Sequence, residues 1–182
     1  MGYGATGRIL RVDLTRMHCH TEQLDEDVYR LYPGGKALAG YFMLREFVPG
    51  TDALSPDSVL VVANGLLTGA PVSTAARFTV AARSPLTGAY GESEAGGYFG
   101  PELKAAGYEA IIVTGRAAAP VYLAIRDADV EIRDAGLLGG QGIIVGKYRD
   151  KFLTLPGKQS VMLSAPTRSG KGVGVVVPNL LA

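Results

Sequence analysis

Short apolar runs alternate with glycine-bearing breaks along most of this chain, and that rhythm leaves room for little but a sheet-rich fold. RILRVDL, SVLVVAN, ARFTVAAR, YEAIIVTG, PVYLAIRD and VEIRD are rich in β-branched residues and too short to be helices of usual length. In RILRVDL, Leu10, Val12 and Leu14 fall on one face and Arg11 and Asp13 on the other, which predicts a half-buried strand. Residues 18–24 are predicted to return as its partner. In ARFTVAAR the same alternation groups Phe78, Val80 and Ala82. Asp25 is placed to cap a short helix with Val28, Leu31 and Tyr32 facing inward, stopped by Pro33-Gly34-Gly35. A second helix near 36–47 carries Leu38, Tyr41, Phe42 and Leu44. GPELKAAG predicts a third, with Pro101 in its first turn and Gly107 at its stop. Up to residue 134 the expectation is a β-rich α+β domain.

Composition narrows the function classes. A net charge of +1 with mixed signs gives no electrostatic case for a nucleic-acid or acidic-membrane partner. No apolar stretch reaches the roughly 20 residues of a membrane span, and the opening residues lack the apolar core of a signal peptide. The expectation is a cytoplasmic chain. One cysteine, Cys19, allows no internal disulfide and no self-contained iron–sulfur cluster, which takes about four thiolates. It lies in HCH, residues 18–20. On a strand His18 and His20 share a face that Cys19 does not, so three ligands do not converge; a polar hairpin strand is the favoured reading, and no metal site is expected.

Two phosphate-loop patterns need weighing. GYGATG matches G-x-G-x-x-G, but no strand precedes it and a strand follows, so the mechanism lacks its context. APTRSGKG, residues 165–172, is different. The buried run SVMLSAP precedes it and an apolar helix start follows, as a phosphate-binding loop requires. Ala165 and Gly172 depart from the usual pattern, while Gly170 and Lys171 keep their places. Between the two regions GLLGGQG is a glycine-rich step, and GKYRDKFLTLPGKQ is basic and loosely periodic. A domain boundary is expected between 131 and 140.

The blocks GRILRVDLT, YPGGKALAGYFM, DALSPDSVLVVANGLLTGAP and ARFTVAARSPLTGAYGESEAGGYFGPELKAAGYEAIIVTG resemble, in order, the N-terminal domain of the tungsten-containing aldehyde ferredoxin oxidoreductases. The resemblance spans about residues 3–135. It implies a β-rich base on which a tungsten bis-molybdopterin cofactor lies, in enzymes that oxidise aldehydes and pass electrons through a [4Fe-4S] cluster to ferredoxin. Matched by position, Arg77 is the arginine that contacts the cofactor. Glu94, Ala95, Gly96 and Gly97 occupy the pterin loop, which usually reads Asn-Ser-Gly-Gly. Glu94 departs from that pattern, because a carboxylate beside phosphate repels unless a cation intervenes. Arg83 is a further candidate for a phosphate. The cluster cysteines and substrate-site residues of the family lie in later domains, so no catalytic residue is assigned here. Ferredoxin is a partner expected only of the full-length family.

Residues 136–182 resemble instead the nucleotide-binding entry of the type IV secretion coupling ATPases, which commonly show the APT…GKG variant. That resemblance implies a partial strand–P-loop–helix unit in which Ser169, Gly170, Lys171 and Gly172 hold the phosphates of Mg-ATP. The sequence therefore reads as two partial modules: 1–135, a truncated oxidoreductase N-terminal-like domain, and 136–182, a partial P-loop segment. The first reading of function is a cofactor-binding fragment that is not catalytic alone. A nucleotide-binding fragment of a coupling ATPase is one alternative. The other is a non-functional chimera, prone to self-association through unpaired strand edges.

Overall fold

The computed structural model describes residues 5–138, 143–148 and 150–155. They fall into two compact units, one of residues 1–118 with 123–133 and one of residues 119–122 with 134–182.

The first unit is built on a mixed six-stranded sheet. Its strands are β1 (Arg8–Asp13), β2 (His18–Gln23), β3 (Leu60–Asn64), β4 (Phe78–Arg83), β5 (Tyr90–Ala95) and β6 (Ala110–Thr114), in the order β2-β1-β6-β3-β4-β5. Only β1 and β6 run parallel, with Ile9 opposite Ala110 and Asp13 opposite Thr114. The other neighbours are antiparallel. Helices α1 (Glu26–Leu31) and α2 (Gly35–Glu46) cover one face through Leu38, Ala39, Phe42 and Met43, packed on Ile9, Val61, Ala81 and Ile112. The other face carries Leu10, Val12, Tyr108 and Ile111. Against it pack Leu103 of α3 (Phe99–Ala105) and Leu123, Ile125, Val130 and Ile132 of strands β7 (Val121–Arg126) and β8 (Asp129–Asp134).

This two-sided cover corrects the half-buried reading of β1. Ile9 and Leu10 point to opposite faces and both are buried, because the strand lies inside the sheet and not at its rim. Arg11 stays among them by pairing with Glu22 at 2.6 Å and Glu46 at 2.8 Å. Strand β4 alternates as expected, and the helix cover selects its other face. Thr79 and Ala81, not Phe78, Val80 and Ala82, are its most buried residues, since α2 packs on their side.

Asp25 caps α1 as expected, its carboxylate accepting from the Asp27 N–H at 2.9 Å. Asp25→Ala should cost about 1 kcal/mol, the usual worth of such a cap, read as a lowered midpoint in thermal unfolding. The inward face of α1 differs from expectation. Tyr29 is buried because its hydroxyl donates to the buried Glu109 at 2.9 Å, and this turns Leu31 outward to 74% exposure. In α2, Leu38 and Phe42 are buried and Leu44 is exposed. Strand β5 was not expected at all. YGESEA has no apolar alternation, and it forms by pairing its backbone with β4 at the sheet's edge.

In the second unit, the stretch read as loosely periodic forms an antiparallel hairpin of β9 (Ile143–Tyr148) and β10 (Lys151–Leu155), with an irregularity between Leu153 and Thr154. Leu138 bridges to Leu153, and the Thr154 N–H donates to Leu137 O at 2.8 Å. The expected strand SVMLSAP and the phosphate loop after it lie outside the described residues.

Candidate functional site

Register alone assembles a site at one end of the sheet. Asn64, the last residue of β3, pairs with Phe78, the first of β4, and Phe78 pairs with Ala95, the last of β5. The chain just beyond these three residues therefore emerges on one rim: Gly65 after β3, Arg77 before β4, Gly96-Gly97 after β5. The start of α2 joins them through a bridge between Gly34 and Gly65.

The rim is glycine-bearing for steric reasons. Gly34 has φ 73° and ψ −179°, a conformation essentially confined to glycine, and a Cβ there would stand 2.6 Å from Asn64 O. Gly97 has φ 91° with open space around it. Thr68 pins the β3–β4 loop, its hydroxyl donating to Arg77 O at 2.5 Å, while the Gly65 N–H donates to the same oxygen at 3.1 Å.

Five predicted residues come together here. Glu94 and Ala95 end β5 instead of lying in a loop, Gly96 and Gly97 follow, and a Cβ on Gly96 would be 3.9 Å from Arg77 Cδ. Arg77 is exposed, and among the described residues no acceptor engages its guanidinium. Arg83 does not belong to the group. It sits at the opposite end of β4, where it donates to Gly88 O at 2.9 Å and to Thr51 O and stacks on Phe47. Ser169, Gly170, Lys171 and Gly172 lie outside the described residues.

Four residues were not singled out from sequence as acting together: Lys36 and Asn64 at the rim, and Glu92 and Tyr90 farther along β5, Tyr90 at the end opposite the rim. Lys36, in the first turn of α2, reaches Glu92 at 2.8 Å and Glu94 at 3.5 Å. Those carboxylates hold the Lys36 ammonium above its ordinary range, first by the Glu92 hydrogen bond, and that same bond holds Glu92 below the usual carboxylate range. Tyr90 donates to Glu92 at 3.0 Å, and burial, then that bond, push its hydroxyl up to about 12. Asn64 is fully buried beneath the rim. Its amide donates to Tyr108 O at 3.1 Å, and its Oδ1 has no partner among the described residues. Paired glycines in YPGGKA and a polar residue closing an apolar strand were the available signals.

Chemically the rim offers a guanidinium with no partner among the described residues, two loops that admit close backbone approach, and the start of α2. The first N–H groups of that helix lack intrahelical partners and no side chain caps them. This set suits a planar or phosphate-bearing anion. Among the described residues no three His, Cys, Asp or Glu side chains converge on a metal position, and no helix is long and apolar enough to cross a membrane.

The family model described as "Aldehyde ferredoxin oxidoreductase, N-terminal domain" matches residues 9–159. The tungsten-containing aldehyde ferredoxin oxidoreductase of Pyrococcus furiosus is 44% identical over 141 residues, 78% of this chain and 23% of that protein. The chain thus spans under a quarter of the length of that relative. Among solved structures, the active site complex BamBC of benzoyl coenzyme A reductase superposes with a TM-score of 0.72 at 38% identity, over 74% of this chain and 21% of that one. A separate likeness is to the conjugal transfer protein TraG of Escherichia coli, 50% identical over 46 residues, 22% of this chain and 7% of that protein.

Proposed function

The chain belongs to the aldehyde ferredoxin oxidoreductase N-terminal domain family, and from that membership we propose that its six-stranded unit binds a tungsten bis-molybdopterin cofactor. The observation that carries the reading is the exposed Arg77, unpaired among the described residues, beside Gly96-Gly97 on the rim that also holds Gly34 and Gly65. An arginine suits phosphate because its planar fork can donate two parallel hydrogen bonds. Gly96, Gly97 and Gly34 leave room for a flat ring system to approach the backbone. Glu94 remains a departure from the pattern: Lys36 lies 3.5 Å from it but 2.8 Å from Glu92, so one ammonium is shared by two carboxylates. When bound, such a cofactor supplies a redox centre; the residues of this chain hold and orient it.

An aldehyde oxidoreductase and a benzoyl coenzyme A reductase share this domain with the chain at comparable identity. Relatives named for different substrates favour for the shared domain a role that does not depend on substrate, and cofactor binding is such a role. Aldehyde oxidation with ferredoxin as acceptor is a reading for the full-length relatives, and this chain is proposed to be non-catalytic alone. The test is tungsten, molybdenum and pterin content of the purified chain from a host that makes the cofactor. Near-stoichiometric pterin, falling at least about tenfold in Arg77→Ala as a charge-assisted bidentate contact is lost, supports the reading. Pterin-free protein in such a host overturns it.

A second reading rests on the TraG likeness. Residues 136–182, joined to the first module near 131–140, would bind Mg-ATP through Ser169, Gly170, Lys171 and Gly172. That binding should be lost in Lys171→Ala. The third reading, self-association, would use β2 and β5, the outer strands of the sheet; a monomer in solution counts against it.

A further inference from the structure

We propose that His18 and His20 form a two-imidazole site for a borderline divalent transition cation such as Cu2+, far from the glycine rim in sheet order and independent of the cofactor. Both histidines stand on β2, an outer strand of the sheet, two residues apart and so on one face. Their rings are stacked with centroids 5.7 Å apart and planes 26° from parallel. Two imidazoles bound side by side to one metal, with bonds of about 2.0–2.1 Å, have centroids roughly 4.5–5 Å apart. The rings are therefore within a small side-chain rotation of closing on a single ion.

Two further observations favour binding. Both histidines are exposed, and among the described residues neither ring makes a hydrogen bond or an ion pair, so no existing contact must be broken. The neighbouring cations are already balanced. Arg11, opposite His20, pairs with Glu22 and Glu46, and Arg45 pairs with Glu22 at 2.7 Å. Asp13, opposite His18, is paired with Arg16 at 3.5 Å. It is not a third ligand, because its Oδ1 accepts from the Thr15 and Arg16 N–H groups. Water completes the coordination shell. Cys19 faces the other side of the strand and packs against the apolar cluster there, as the sequence pattern requires.

Ligand chemistry sets the choice of ion. Imidazole suits Cu2+, Ni2+ and Zn2+, and in a site with no imposed geometry Cu2+ binds tightest of the three; Mg2+ and Ca2+ want oxygen. The test titrates Cu2+ into the untagged full-length chain, followed by calorimetry and by electron paramagnetic resonance. The expected result is one Cu2+ per chain with hyperfine splitting from two imidazole nitrogens, and no heat from Mg2+. His18→Asn or His20→Asn should each weaken binding at least about tenfold, since the second contact is intramolecular and its loss removes a high effective concentration. Both positions are exposed, so circular dichroism should show the variants folded. Equal affinity in the double variant, or a spectrum with a single nitrogen, overturns the proposal.

Discussion

Glu109→Ala should be the most damaging single substitution in the described structure, costing about 3–5 kcal/mol as a broken buried ion pair does. Glu109 is fully buried and its carboxylate collects three parts of the chain. The Thr6 N–H donates to Oε1 at 2.8 Å, while the Tyr29 hydroxyl at 2.9 Å and the Lys104 ammonium at 2.5 Å both reach Oε2. Removing it leaves a mostly buried Lys104 ammonium and the buried Tyr29 hydroxyl without their partner, each such group costing about 1–3 kcal/mol. Glu109→Gln keeps the shape but not the charge and should fall between wild type and alanine. Urea unfolding checks the order: the midpoint should drop at nearly constant slope. Tyr29 adds a pH signature. Burial, then the charge and hydrogen bond of Glu109, hold its hydroxyl above the ordinary phenol value. That contribution is complete below the unfolded value of about 10 and is lost as pH rises through it toward the higher folded value. Tyr29→Phe should flatten this alkaline decline.

Gly34→Ala and Gly40→Ala should move stability in opposite directions, though both add one methyl group. At Gly34 the backbone conformation costs a non-glycine residue about 1–3 kcal/mol. The new Cβ would also lie 2.6 Å from Asn64 O and 2.8 Å from the Leu66 N, both backbone atoms that cannot swing aside. The bridge to Gly65 must open, and with it the junction of α2 and the β3–β4 loop. A loss of several kcal/mol is expected. At Gly40, inside α2, nothing lies within 4 Å of the added Cβ and φ is ordinary. There alanine should stabilise by about 0.5–1 kcal/mol, the helix-interior difference. Paired melting curves decide the matter, and equal shifts would refute the steric account.

Most strands were legible as short apolar runs, alternating in RILRVD and continuous in LVVAN and AIIVT. Strand β5 was not, since YGESEA carries no such signal and owes its place to the register with β4. Which face of β4 is covered was not legible, and the inward face of α1 was misjudged, for a related reason. Which face is covered depends on where α2 lies and on Tyr29 reaching Glu109, and both are tertiary facts. The glycines of the rim were legible as turns, and Arg77 and Gly96 as neighbours only through resemblance. Lys36 meeting Glu94 was not readable from sequence, because nearly sixty positions separate two residues that α2 and β5 bring together.

The parallel pairing of β1 with β6 has a consequence for synthesis. As the chain leaves the ribosome, β1 emerges well before one of its two neighbours, which appears only at Ala110–Thr114. Until then β1 can pair with β2 alone, and its other edge stays open. Closing a loop of that length costs entropy before any contact returns it, so the sheet's centre assembles late and slowly. Through that interval the apolar faces around Ile9 and Leu10 are exposed to neighbouring chains, which makes nascent protein, more than the finished fold, the form in need of a chaperone.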